Sequence, residues 1–244
     1  MKDLLVRLFI IAITPAISIA YAVYLSDRYD REPISLLLKT FIFGALSVIP
    51  TIIVERFLAS FNFFTGIPSA IYTAFLVAGF TEEFFKREVV LRFVYNSKYF
   101  DEKLDGIVYS IFSALGFATV ENVMYVVFRF SYNSYVGLYR GILSVPAHAI
   151  FAVTMGYYLS ISKFTSSLTE KELNLKKSLF IPIITHGIFD FMLMSRILIL
   201  AVLFIPYLIY IWKNSQIKLN KYIIESGERF SKINKKNNLI NKRE

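Results

Sequence analysis

Long apolar stretches alternate with short polar ones along this chain, and the apolar stretches are close to the length that crosses a bilayer. About 20 mainly apolar helical residues cross a hydrocarbon core of about 30 Å. Seven such runs can be placed, over 4–25, 34–58, 67–91, 105–128, 137–160, 178–195 and 197–212. The last two are short and meet around Ser195-Arg196, as a bent hairpin or one broken helix. The pattern predicts an all-α, polytopic transmembrane bundle of about seven spans. It divides the chain into a membrane domain, 1–212, and a basic tail, 213–244.

Charge sets the orientation, because loops rich in Lys and Arg stay cytoplasmic. Segments 26–39, 87–104, 161–178 and 213–244 hold 20 of the 27 Lys and Arg residues, and the opposite set of loops holds 5. The expected N-terminus is therefore outside and the C-terminus cytoplasmic. Lys2, Arg7 and the apolar run ending in Ala20-Tyr21-Ala22 imitate a signal peptide. Cleavage there would invert every later loop against its charge, so the first run reads as a span.

Composition agrees: 56% of the 244 residues are hydrophobic, 18% are charged, and mean hydropathy is +0.54. A soluble domain carries about 25% charged residues. Because the chain has no cysteine, a disulfide framework, a zinc ribbon and a thiol nucleophile are all excluded. The net charge of +9 owes much to the tail, where 9 Lys and Arg fall after Trp212, so it points to anionic lipid or a partner protein and not to nucleic acid. The 24 Phe and 16 Tyr fit lipid-facing and belt positions.

Ionisable side chains inside such spans cost several kcal/mol and are functional candidates by default. The third span carries Glu82, Glu83, Lys86 and Arg87, and the fourth Glu121-Asn122. The chain's two histidines, His148 and His186, each lie on a span of their own, with Asp190 one turn beyond His186. At 1.5 Å rise per residue, the acidic groups fall within about 7 Å of the span midpoints and the histidines within about 3 Å, so all can meet in one layer. Small residues lead to them in four-residue steps, Ala70-Ala74-Ala78-Glu82 and Ser110-Ala114-Ala118-Asn122, as close helix packing requires. Pro146 and Pro182 precede the histidines and release backbone carbonyls inside the bilayer, a mark of spans that line a wet cavity.

Other readings stand beside this one. Glu82 with Lys86, and Glu83 with Arg87, have the spacing of helical ion pairs, and Asn122 could join helices. Glu55-Arg56 reads as an interfacial ion pair. Two histidines and several carboxylates suit peptide hydrolysis, in which a glutamate deprotonates water while imidazoles stabilise an oxyanion or hold a metal. They also suit a proton or cation path, although no inverted repeat is visible. A scaffold would gain nothing from six costly buried ionisable groups.

Five stretches, in order, resemble the PrsW family of bacterial intramembrane proteases, allied to the CAAX-prenyl-protease and bacteriocin-processing group. They are Asp27 to Pro33 followed by Leu36-Leu37, EEFFK at 82–86, FATVEN at 117–122, PAHAIF at 146–151 and HGIFD at 186–190. The resemblance implies a protease of the cell membrane, with Glu82 and Glu83 as the catalytic pair and Glu121, His148, His186 and Asp190 completing the site. Lys86 and Asn122 would support it. It further implies site-1 cleavage of a single-pass substrate such as an anti-sigma factor. Cutting a prenylated or bacteriocin-like peptide is the variant of that role. Metal-free chemistry with Glu83 as general base is the favoured mechanism. A zinc ion on His148, His186 and Glu83 is the alternative.

Overall fold

A computed structural model describes residues 2–240. Helix α1 (Lys2–Ser26) is followed by α2 (Ile34–Leu46) and α3 (Val48–Ala59), which form one span with a break at Ser47. Pro50 cannot donate to the carbonyl of Leu46, and the Ser47 hydroxyl donates to the Gly44 carbonyl at 2.7 Å. The third span is a continuous rod of α4 (Gly66–Ile71), a π-helical stretch (Tyr72–Phe80) and α5 (Thr81–Phe93). The fourth is α6 (Lys103–Val123), ending in a second π-helical stretch (Met124–Arg129). The fifth comprises α7 (Ser134–Tyr139), a third π-helical stretch (Arg140–Ser144) and α8 (Val145–Phe164). Helices α9 (Leu168–Met194) and α10 (Leu198–Ile240) complete the bundle.

The all-α architecture stands, with six helices long and apolar enough to cross a membrane among the described residues. The Gly66–Phe93 rod, which carries Glu82, Glu83, Lys86 and Arg87, lies outside that six, so the bundle has six or seven spans. Two boundaries differ from expectation. The sixth span begins at Leu168, so the polar segment 168–177 is helix instead of loop. Ser167 caps it, its hydroxyl accepting the Glu170 amide. The turn around Ser195-Arg196 is a true reversal between two helices, with Arg196 at φ 57°. Helix α10 then crosses position 212 without interruption.

Helix α6 is the axis of the molecule, buried almost continuously from Leu104 to Ala118 and packed by α1, α2 and α8. Gly106 on α6 and Gly156 on α8 let those two backbones touch, since a Cβ on either would collide with the other helix's backbone. The α6–α8 crossing matters because these helices carry Glu121 and His148. Helix α1 belongs to the same bundle. Its Leu8, Ala12 and Ala16 are buried, and the Ala12 carbonyl accepts the Asn122 amide at 2.8 Å.

At one end of α6 the connection between α1 and α2 is pinned by polar contacts. The Asp27 carboxylate accepts the Glu32 amide at 3.0 Å, and the Tyr109 hydroxyl donates to the Glu32 carboxylate. Helix α10 reaches the same end. Its Lys218 donates to Thr154, its Glu225 pairs with Lys103, and its Arg229 pairs with Asp101.

Candidate active site

Four spans deliver the central cluster. Glu82 and Glu83 open α5, directly after the Tyr72–Phe80 π-helical stretch, and Glu121 lies near the end of α6. His148 stands in the first turn of α8, directly after the Arg140–Ser144 π-helical stretch, and His186 is one turn past Pro182 on α9. Three spans thus change helical pitch beside the residue they contribute. Isolated π-helical turns inside α-helices concentrate at functional sites.

Lys86 is the hub. Its side chain is fully buried, and its Nζ lies 2.9 Å from Glu82 Oε2, 2.9 Å from Glu83 Oε1 and 2.9 Å from His148 Nδ1. An ammonium has only donors, so His148 Nδ1 accepts and its Nε2 proton points to Glu121 Oε2, at 3.0 Å. His186 Nδ1 lies 2.9 Å from Glu83 Oε1, and its Nε2 lies 3.4 Å from Asp190 Oδ2. The two imidazoles meet edge to face at 5.5 Å, and Phe151 stacks on His186 at 4.9 Å. Every expected site residue therefore falls within one connected network. Asn122 has the helix-joining role, bonding α1 through Ala12 and accepting Arg140 Nε at 3.1 Å.

Two expectations about pairs need correction. Glu82 does pair with Lys86, but Glu83 pairs with Lys86 and His186 instead of Arg87. Arg87 turns to α9, where it bonds Ser178 and the Leu175 carbonyl. No ion pair joins Glu55 and Arg56 among the described residues; Glu55 instead faces a cavity shared with Glu82, Glu121, His148, His186 and Asp190. That cavity holds about 950 Å3 and reaches the protein surface past exposed Arg56 and Phe128. Sequence reasoning missed Arg140, which forms an ion pair with Glu121 Oε2 at 2.9 Å and lies over the Tyr125 ring. Its position at the start of the fifth span, next to the Glu121-Asn122 depth, was the available signal.

The donor set also fits a metal. Glu82, Glu83, His148 and His186 are all buried, and one ligand atom from each lies within 4.8 Å of the others. Two imidazoles with carboxylates are a zinc-type set. One Glu83 oxygen, Oε2, is buried without a hydrogen-bond partner, so that side chain has capacity to spare.

Multiple spans enclosing a buried cluster of glutamate and histidine at the head of a cavity define a polytopic membrane hydrolase. Residues 32–212 match the PrsW family of intramembrane metalloproteases. The chain belongs to that family. It is 42% identical over 225 residues to the protease PrsW of Clostridioides difficile (strain 630), covering 91% of this chain and 94% of that one. The corresponding protease of Geobacillus kaustophilus is 36% identical over 184 residues, covering 75% and 78%. That of Bacillus subtilis is 33% identical over 200 residues, covering 82% and 88%. No solved structure matches. The chain is thus an intramembrane peptidase of the cell membrane.

Proposed function

We propose that this protease makes the first cut in a single-pass membrane protein of the anti-sigma-factor type, drawing the substrate into the cavity that ends at Glu82. The observation that carries the reading is the arrangement of Glu82 on the wall of that cavity, with Glu83, His148 and His186 packed around it.

Glu82 is the general base in this scheme, because it lines the cavity whereas Glu83 is fully buried behind it. This reverses the order the sequence favoured. The Glu82 carboxylate takes a proton from the attacking water as its oxygen bonds to the scissile carbonyl carbon. The tetrahedral adduct collapses with cleavage of the C–N bond, and the same proton passes from Glu82 to the departing amine. Lys86 fixes Glu82 Oε2 in place, while Glu121 and Asp190 orient the two imidazoles from outside.

The family's metalloprotease character and the donor set move the balance from metal-free glutamate chemistry to the zinc alternative. Glu83, His148 and His186 would hold the ion. When bound, a metal supplies a Lewis acid and lowers the pKa of water. The Lys and Arg distribution supports an outside N-terminus and a cytoplasmic C-terminus, with the basic α10 end beyond the membrane near anionic lipid.

The test is cleavage of a candidate single-pass substrate by purified protein in liposomes. Glu82→Gln, Glu83→Gln, His148→Ala and His186→Ala should each reduce cleavage at least about 100-fold while the protein still accumulates in the membrane. Full activity in Glu82→Gln would overturn the assignment of the base.

A further inference from the structure

The position of Lys86 carries a consequence for how the site acquires its ion. Its ammonium has three protons, and all three are used at 2.9 Å, on Glu82 Oε2, Glu83 Oε1 and His148 Nδ1. Two of those acceptors belong to the set proposed to hold the metal. A lone pair that accepts a lysine proton is not available to a cation, so lysine and metal claim the same atom at His148 Nδ1, whereas Glu83 keeps Oε2 free.

We infer that Lys86 is a built-in counter-cation that keeps the ligand set assembled and must surrender His148 when a metal ion enters. This rests on the metal reading above. Two carboxylates buried beside each other with no positive charge would be costly, and the lysine supplies that charge from within the same helix. After the exchange the ammonium keeps partners outside the ligand set. Glu82 remains within reach, and the Phe117 ring lies 4.3 Å below Nζ. The exchange makes Lys86 a positioning residue that sets a threshold for metal affinity, because an incoming ion must outcompete an ammonium already in place. Ions too weak to do so are excluded.

The test uses the full-length protein in detergent, stripped of metal, with zinc affinity read by competition against a chromophoric chelator. Lys86→Met removes the competitor, so it should bind one zinc per chain at least about tenfold more tightly than the wild type. Unchanged or weaker binding in the variant, with the wild type still binding, overturns the exchange and leaves the metal reading intact. Absence of zinc binding in both proteins overturns the metal reading itself. If Lys86→Met fails to accumulate, growth with supplementary zinc decides: recovery by zinc supports the exchange. Failure at every zinc level identifies Lys86 as an irreplaceable structural ion-pair partner and overturns it.

Discussion

Replacing Glu32 by glutamine should flatten the pH dependence of the bundle's stability. Burial of this side chain in the α1–α2 connection lifts its pKa from the ordinary 4.5 to about 7, with the Tyr109 hydrogen bond pulling the other way. Asp27, which accepts the Glu32 amide, is lifted by burial from 3.8 to about 6. A raised carboxyl pKa means that the folded chain holds its proton where the unfolded chain has lost it. The stabilisation is therefore complete below the unfolded pKa and disappears as pH rises through the folded one. For Glu32 alone, about 1.36 kcal/mol per pH unit places a loss of roughly 2–3 kcal/mol between about pH 5 and about pH 8. Glutamine mimics the protonated acid, can still accept from Tyr109, and does not titrate. Unfolding in mixed micelles of rising SDS content, followed by circular dichroism, should show wild type distinctly weaker at the higher pH. The variant should match it at the lower pH and lose measurably less. An equal loss in the variant, or wild-type stability that rises with pH, would refute the reasoning.

Three further outcomes follow from other parts of the molecule. Gly156→Ala places a methyl group against the α6 backbone at Gly106 and should destabilise the bundle by about 1–3 kcal/mol in the same micelle assay. Arg140→Met removes the cation that pairs with Glu121 and bonds Asn122, and cleavage should fall at least about tenfold, since Glu121 in turn orients His148. Single cysteines introduced at Asn62 and Lys171 into this cysteine-free chain should react with an impermeant reagent from outside and from the cytoplasm respectively. The reverse pattern would refute the orientation.

The spans and the site residues were readable because both obey strong physical constraints. Twenty apolar residues have few fates other than a membrane helix, and glutamate or histidine inside such a run needs a reason. Segment 161–178 misled because charge density suggested a loop throughout, yet Ser167 with Glu170 three residues later is a helix-start signature that was available. The basic composition after Trp212 likewise suggested a solvated tail. Ile211, Ser215, Tyr222 and Ser226 are nevertheless buried at helical spacing along α10, whose basic side chains sit largely on its other faces. What no single-span pattern could supply is the contact between Lys86 and His148, 62 positions apart, or the preference of Glu83 for His186 over Arg87. Glu83 and Lys86 follow one π-helical stretch and His148 follows another, and no local composition marks such a change of pitch.

The most direct test of a metal-dependent glutamate–histidine peptidase is cleavage of a single-pass substrate by the purified protein in liposomes before and after a strong chelator. Cleavage should stop on chelation and return with added zinc, and His186→Ala should lose bound zinc and activity together. Undiminished cleavage in fully demetallated protein would contradict the account.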